Sequence, residues 1–381
     1  MLGGRSIRLT NILGIRVGVD VSWFLILFLA IFWLQDSFGD ILDDSQLAFL
    51  AAVATALGFF GSILLHELGH ALAARREGIQ VSGIDLFFFG GVMKMSQDTR
   101  SPGQEFRVAV AGPLVTLALV IVGGLASIVL IGADAFSEAA RLRVSTATAF
   151  ELWLSFLVSM NVLLLGFNLV PAFPLDGGRI ARAAAWKVTG DRGKATRLAA
   201  YLGQAFAAVM IGWGLYLLVA QDDTISGLWA MVLGYLLGSA ARSAIAQSAF
   251  TERLAGVTVA DIMDADPVAI PAELPAASAW EDYFLRYQGW PWFAVVEADG
   301  RYAGLAHRAA VEQAEGGTLV RDVAAGADDR VRDDAPLEAL LGSESLRRLG
   351  ALMAVDAEGR LRGVVTVEQV TRALQARLTP A

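Results

Sequence analysis

Hydrophobic residues in the first 250 positions fall into long runs that short polar segments separate. A helix that crosses a membrane needs about 20 mostly apolar residues. Six runs satisfy this length, at 17–35, 47–74, 105–132, 148–170, 196–220 and 226–247. The pattern therefore predicts a polytopic α-helical membrane domain over residues 1–250, with about six spans.

Residues 79–97 carry a shorter pattern that does not fit another crossing. Two runs rich in Val, Ile and Phe flank Gly90 and Gly91, and this arrangement favours a β-hairpin. Such a hairpin can dip into the membrane as a re-entrant element only if other parts of the protein cover its backbone. A plain cytoplasmic loop with an apolar tip is the alternative.

Residues 251–381 lose the long apolar runs and repeat a shorter unit instead. The segments 257–315 and 319–377 each end in a strand, a D-G or E-G turn, a second strand and a helix. Short strands that alternate with helices are typical of an α/β fold. We therefore expect a C-terminal tail made of two α/β domains with these bounds.

Composition and charge support this division of the chain. Of the 381 residues, 55% are hydrophobic, and the mean hydropathy of +0.54 indicates a membrane protein. Residues 1–250 contain 17 acidic and 17 basic side chains, whereas residues 251–381 contain 21 and 13, which accounts for the whole net charge of −8. Cysteine is absent, so a metal would have to be held by histidine and carboxylate. There is no basic stripe of the kind that binds nucleic acid.

Lysine and arginine are distributed unevenly among the segments that connect the predicted spans. They cluster before the first span, after the second and after the fourth, whereas QDSFGDILDDSQ and QDDTISG carry none. Because cytoplasmic loops are enriched in these residues, we expect a multi-pass cell-membrane protein with both termini in the cytoplasm. The ratio of 3 lysines to 27 arginines suggests a bacterial source with a GC-rich genome.

The stretch HELGH at 66–70 places three ionisable side chains inside the second apolar run. Polar groups at membrane depth are costly unless they bind something. On a helix His66 and His70 share one face and can hold one metal ion, and Glu67 is close enough to act as a general base on a water molecule. This is the pattern of a zinc hydrolase. The alternative is a chance match in which neighbouring carbonyls satisfy the histidines.

A catalytic zinc ion takes a third protein ligand and keeps a fourth position open. The remaining histidine, His307, lies in the tail, so the third ligand should be a carboxylate. The acidic residues near the apolar runs are Asp85, Glu105, Glu151 and Asp176. We prefer Asp176, because prolines before it end the helix and the glycine pair after it lets the backbone turn close to a partner. The alternative is that Asp176 only caps a helix that begins near residue 179.

Three motifs resemble those of the site-2 protease family of intramembrane zinc metalloproteases. They are HELGH at 66–70, AGPL at 111–114 and N-x-x-P-x-x-P-x-D-G-G-R at 168–179. The motifs follow one another in the family's order, and no zinc or catalytic position departs from the family pattern.

This resemblance implies roles for individual residues. One zinc ion per chain would be bound by His66, His70 and Asp176, and Glu67 would be the base. Asn168 would contact the substrate backbone or support the oxyanion. The predicted hairpin would clamp the substrate as an added strand.

The tail resembles a pair of cystathionine-β-synthase (CBS) domains, which in many proteins bind adenine nucleotides between the repeats. The family's nucleotide signature has Thr or Ser after the final strand and Asp three residues later. The second repeat has Thr366 but Gln369 in place of the Asp, and the first repeat has neither. We therefore expect ATP or AMP to bind weakly or not at all. A docking or homodimerisation module is the role we expect for the tail, and a nucleotide sensor is the alternative.

The expected function is that of a zinc-dependent intramembrane endopeptidase. It would cut membrane-anchored proteins within or near their transmembrane segment in the lipid bilayer, as in regulated intramembrane proteolysis. A CBS-regulated transporter or channel is one alternative, but it does not explain HELGH together with a distant Asp-Gly-Gly. A non-catalytic scaffold that binds substrates is another, and an intact Glu67 argues against it.

Overall fold

The computed structural model describes residues 6–87, 90–140, 147–254, 256–315, 317–326, 328–341 and 343–378. The chain divides into two units, Met1–Ala246 and Gln247–Ala381. This division falls close to the change in hydrophobic pattern near residue 250. The finer domain bounds, 257–315 and 319–377, stay a prediction.

Long helices dominate the first unit. They are α1 (Val21–Gly39), α2 (Ser45–Arg76), α3 (Pro102–Ile131), α4 (Ala133–Ala140), α5 (Ala149–Leu169), α6 (Asp176–Thr189), α7 (Arg192–Ala220) and α8 (Thr224–Leu254). Among the described residues, α1, α2, α3, α5, α7 and α8 are long and apolar enough to cross a membrane. They confirm the six predicted spans. The hydrophobic pattern did not predict the short helices α4 and α6.

Polar residues mark where several of these helices begin. Asp20 and Asp44 accept hydrogen bonds from backbone N–H groups in the first turns of α1 and α2, and Ser101 does the same for α3. Thr148 and Glu151 form a capping box at the start of α5. Such caps satisfy N–H groups that have no partner within the helix. The prediction that the first span begins at residue 17 is therefore wrong. Residues 15–19 form a strand, and α1 begins at Val21.

A four-stranded sheet joins the N-terminal residues to the predicted hairpin. Its strands are β1 (Ile7–Ile12), β2 (Ile15–Val19), β3 (Val81–Phe87) and β4 (Gly90–Met95), in the order β1-β2-β3-β4. β2 and β3 run parallel, and the other neighbours are antiparallel. β3 and β4 confirm the hairpin at 79–97, whose residues 88 and 89 lie outside the described residues. Gly90 and Gly91 belong to β4, and β1 and β2 were not predicted.

This sheet lies alongside the C-terminal half of α2. Arg75 Nη1 near the end of α2 donates to the backbone carbonyl of Leu13, in the turn between β1 and β2, at 2.6 Å. Further up the helix, Gly91 of β4 adjoins Glu67. The fully buried Ile84 of β3 belongs to one core with side chains of α1 and α2. The hairpin thus lies alongside a candidate span and does not extend beyond the end of that span. A re-entrant hairpin needs such a position, because other parts of the protein must cover its backbone.

The second unit contains two three-stranded sheets of the same topology. The first comprises β5 (Ala269–Pro271), β6 (Trp292–Val296) and β7 (Tyr302–His307), and the second comprises β8 (Arg330–Arg332), β9 (Ala351–Val355) and β10 (Leu361–Thr366). In each, the first strand runs parallel to the second, and the second runs antiparallel to the third. This repetition confirms the internal repeat that the sequence predicts.

Short helices flank these sheets. They are α9 (Ala276–Ala279), α10 (Arg308–Glu312), α11 (Val320–Val323), α12 (Glu338–Leu341), α13 (Glu344–Leu349) and α14 (Val367–Leu378), together with a 3-10 turn at Val259–Asp261 and a π-helical turn at Trp280–Phe284. Side chains of both repeats, among them the fully buried Leu305 and Met353, form one core. The two repeats therefore pack on each other as a pair.

Candidate metal centre

Three side chains from two helices converge at one point inside the first unit. His66 and His70 lie one turn apart on α2, and Asp176 is the first residue of α6. The Nε2 atoms of the two histidines are 3.2 Å apart, and Oδ2 of Asp176 lies 3.0 and 3.1 Å from them. All three side chains are buried. The fold thus brings together the three predicted ligands, although 110 and 106 residues separate Asp176 from the two histidines.

Helix α3 fixes the orientation of both imidazole rings. His70 Nδ1 donates to the backbone carbonyl of Val108 at 2.7 Å. His66 Nδ1 is 2.9 Å from Oγ1 of Thr116, whose hydroxyl lies 3.4 Å from the carbonyl of Gly112. A hydroxyl that donates to a carbonyl can accept from an imidazole N–H. Both histidines therefore carry their proton on Nδ1 and present an unprotonated Nε2.

The backbone of α3 comes close to the two histidines at Gly112. A Cβ atom at this position would overlap Nε2 of His70 and would lie 2.7 Å from Nε2 of His66. Only glycine leaves room here, because a side chain would fill the space beside the two nitrogen atoms. Gly112 belongs to the AGPL motif, whose role was not apparent from the sequence pattern alone.

The segment between α5 and α6 turns back sharply before Asp176. A Cβ atom at Gly177 would overlap the carbonyl oxygen of Val170, and one at Gly178 would overlap the backbone of Phe173. The glycine pair is therefore needed for the close approach that the sequence predicts. This fold-back delivers the Asp176 side chain to the histidines.

The side chain of Asp176 does not serve as a helix cap. Helix α6 begins at Asp176 itself, and the preceding Leu175 occupies the cap position without a side-chain hydrogen bond. The interpretation of Asp176 as a mere cap near residue 179 is therefore wrong.

The donor set and its spacing fit a zinc ion. Zinc binds histidine nitrogen and carboxylate oxygen in a tetrahedral arrangement, in which bonds of roughly 2.0–2.1 Å place neighbouring ligand atoms about 3.3 Å apart. The three atoms lie 3.0, 3.1 and 3.2 Å from one another. Acceptor atoms at this distance repel each other unless a cation lies among them. Within the described residues, His66, His70 and Asp176 are the one such group of three.

Glu67 lies next to this group and beneath β4. A Cβ atom at Gly91 would overlap Cγ of Glu67 and would lie 2.9 Å from its Cδ. The strand therefore passes directly over the carboxyl group. Among the strands that the structure describes, β4 is at an edge of the sheet, and this edge strand is the one that contacts Glu67. Sequence reasoning did not single out this contact, since it depends on tertiary packing.

The other acidic candidates for the third ligand have different partners. Asp85 forms ion pairs with two cations of its own sheet. Glu105 is fully buried and pairs with Arg182 of α6. Glu151 takes part in the capping box of α5. None of the three is brought to the histidines.

Asn168 lies in the last turn of α5, at the start of the segment that folds back to Asp176. Its side chain is half-buried. Residues of α3 that orient the histidines, Val108 and Thr116, were not predicted. Thr116 could have been found, because it follows Gly112 of the AGPL motif by one helical turn.

Comparison with known proteins agrees with the assignment of these residues to a zinc site. The profile of Peptidase family M50 matches residues 54–210, which contain all three motifs. The protein named "Putative zinc metalloprotease Rip3" from Mycobacterium tuberculosis (strain ATCC 25618 / H37Rv) is 33% identical over 371 residues, covering 93% of this chain and 89% of Rip3.

Two solved structures are similar to parts of the chain. The Site-2 Protease from Methanocaldococcus jannaschii shares 29% identity, covers 63% of this chain and 95% of its own, and has a TM-score of 0.44. The CBS domain pair/ACT domain protein (TM0892) from Thermotoga maritima shares 18% identity, covers 32% of this chain and 100% of its own, and has a TM-score of 0.27.

A bundle of membrane-crossing helices with two histidines, a carboxylate and an adjacent glutamate defines a membrane-embedded metalloenzyme. The similarity to Rip3, at 33% identity over 93% of this chain, narrows this class of metalloenzyme to one family. The chain belongs to Peptidase family M50, the site-2 protease family. It is a multi-pass membrane zinc metalloendopeptidase with zinc as its cofactor.

Proposed function

We propose that this protein hydrolyses a peptide bond within or near the transmembrane segment of a membrane-anchored protein, as in regulated intramembrane proteolysis. The observation that carries the proposal is the position of the centre. His66 lies ten residues before the end of α2, which is about 15 Å along a helix that is apolar enough to span a membrane. Substrates that reach such a site are themselves held in the bilayer.

In this proposal His66, His70 and Asp176 hold one zinc ion through Nε2, Nε2 and Oδ2. The distances of 3.0, 3.1 and 3.2 Å among these atoms support the ligand set. When bound, zinc supplies a positive charge that polarises the scissile carbonyl and lowers the pKa of water.

Glu67 acts as the general base. Its carboxylate takes a proton from the attacking water, whose oxygen forms the new bond to the carbonyl carbon. The C–N bond then breaks, and Glu67 delivers the proton to the nitrogen of the departing amine. Asn168, in the half-buried last turn of α5, contacts the substrate backbone or supports the oxyanion.

The edge strand β4 receives the substrate. A peptide bond in a membrane helix becomes accessible only when the helix unwinds, and its freed N–H and C=O groups then need partners. An edge strand offers a row of such partners, so an extended segment can add to it. The proximity of Gly91 to Glu67 supports β4 as this strand, because a segment added there lies next to the base.

The enzyme would lie in a bacterial cell membrane with both of its termini in the cytoplasm. Lysine and arginine counts support cytoplasmic termini, and the lysine-poor composition supports a bacterial source. The tail would be a docking or homodimerisation module on the cytoplasmic side, and its two sheets of the same topology support the paired repeats from which such a module is built.

The proposal is tested by cleavage in vesicles. The full chain is reconstituted with candidate single-span proteins, and the products are identified by mass spectrometry. We expect Glu67→Gln to lower the rate by about 10²–10⁴-fold, the contribution of a general base. The matched control is Glu77→Gln, which removes a carboxylate at the end of the same helix and breaks only an ion pair with Arg107. Substantial turnover by Glu67→Gln, or products cut far from the transmembrane segment, would contradict the proposal.

A further inference from the structure

A buried ion-pair cluster connects α3 with α6 beside the metal centre. Glu105, in the first turn of α3, has no exposed surface. Its Oε1 accepts hydrogen bonds from Nε of Arg182, at 3.1 Å, and from Nη2 of the same residue. Arg179 Nε lies 3.7 Å from this oxygen, and Oγ1 of Thr99 donates to the other carboxylate oxygen at 3.3 Å. Glu105 therefore meets two cations and a hydroxyl.

Both arginines are linked to the segment that carries Asp176. Arg179 follows Asp176 by three residues on α6, so the two side chains are neighbours on the helix surface. Arg182 also lies over the ring of Phe173 at 5.6 Å, and Phe173 belongs to the fold-back segment before Asp176. Glu105 thus contacts two residues that follow Asp176, and one of them, Arg182, also contacts a residue that precedes it.

The same helix α3 holds the other two predicted ligands. Val108, three residues after Glu105, accepts from His70, and Thr116 binds His66. α3 is therefore attached to both helices that carry the predicted ligands, α2 and α6. Two attachments are hydrogen bonds to the imidazole rings, and the third is the Glu105 cluster.

We propose that Glu105 is a positioning residue for the third zinc ligand: by binding Arg182 and Arg179 it sets the position of α6, and hence of Asp176 Oδ2, relative to the histidines. This inference rests on the ligand set of the proposed function. Groups that hold metal ligands in place typically change metal affinity by about 10–100-fold when they are replaced. Glu105 does not touch the metal, and the expected effect lies at the lower end of this range.

The test measures zinc affinity of the purified full chain in detergent, by competition with a chromogenic chelator. Glu105→Gln keeps the size of the side chain and removes its charge, and we expect it to weaken zinc binding about tenfold. Glu77→Gln is the matched control, because it also removes a paired carboxylate, but one whose partner is Arg107 of α3 and not a residue of α6. We expect the control to bind zinc like the native chain.

A second variant separates positioning from simple loss of stability. Glu105→Gln leaves the buried Arg182 without its partner, which by itself destabilises a protein. The double variant Glu105→Gln/Arg182→Met removes both charges, so we expect its thermal midpoint to return toward the native value while zinc binding stays weak. Native zinc affinity in Glu105→Gln, or its recovery in the double variant, would overturn the inference. Native affinity in Asp176→Ala would instead overturn the ligand set.

Discussion

The two units of the molecule differ in the partners that surround their polar acceptor atoms. In the tail, the buried carboxylate of Asp329 accepts two hydrogen bonds from Arg348, at 3.0 and 3.2 Å. The amide oxygen of Gln369 accepts from the backbone N–H of Thr366 at 2.8 Å. Each acceptor there faces a donor of the same unit, which is the usual condition for burial of polar atoms.

The centre in the membrane unit is arranged in another way. The outer nitrogen atoms of His66 and His70 have partners on α3. Their inner nitrogen atoms face each other and the carboxylate of Asp176, so that acceptor lies against acceptor. A cation stabilises this arrangement, whereas protein donors stabilise the arrangement in the tail.

Glu105 shows that the contrast does not arise from the membrane itself. It is a fully buried carboxylate in the same unit as Asp176, and yet its oxygen atoms face arginine and threonine donors. Asp176 and Glu105 are both buried acids, and their partners distinguish a candidate metal ligand from a residue that holds two helices together.

The largest expected effect comes from filling the space beside the histidines. Gly112→Ala adds a Cβ atom that would overlap Nε2 of His70. We expect this variant to purify with far less than one zinc ion per chain and to lose cleavage activity, because the imidazoles cannot keep their positions. Zinc content by mass spectrometry measures the first effect, and substrate cleavage in vesicles measures the second.

The control for this variant is Gly124→Ala. Gly124 lies on the same helix, and a Cβ atom there would meet no other atom within 4 Å. We expect native zinc content and activity. If Gly112→Ala also behaves like the native chain, the space beside the histidines is not constrained as the structure indicates, and the contrast between the units weakens.

The sequence predicted the membrane spans and the metal-ligating candidates because each has a local signature. A span is a long apolar run, and His66 with His70 is a helical spacing of four. Asp176 could be proposed from its neighbours, because the prolines and glycines around it require an irregular backbone.

The N-terminal strands and the roles of α3 could not be predicted in the same way. β2 pairs with β3, whose residues lie more than sixty positions later, so its partner is fixed only by the tertiary fold. Leu13 and Gly14 form the turn before it at positive φ, a conformation that is uncommon for leucine. Glu105 was considered as a ligand, and only its contact with Arg182 reveals a different partner.

The smallest expected effect is the binding of ATP or AMP to the tail. Gln369 stands where a ribose-binding carboxylate would be, and its amide oxygen is already bound to Thr366. Arg308 donates to the carbonyl of Phe284 at 2.8 Å and lies over the ring of Trp280, so its guanidinium group is already bound within the tail. We expect calorimetry on the full chain to give a dissociation constant of about 1 mM or weaker for ATP and AMP. Micromolar binding would show that the polar groups of the tail are available to a ligand.

The most direct test of the account is the zinc content of purified Asp176→Ala, measured by mass spectrometry beside the native chain and Asp85→Ala. Asp85 is the matched control, because it is a buried carboxylate of the same unit that binds Arg16 and Lys94 instead of the histidines. We expect about one zinc ion per chain in the native protein and in Asp85→Ala, and far less in Asp176→Ala, which keeps only two of three protein ligands. Full zinc content in Asp176→Ala, with loss of zinc in Asp85→Ala, would contradict the assignment of the metal centre.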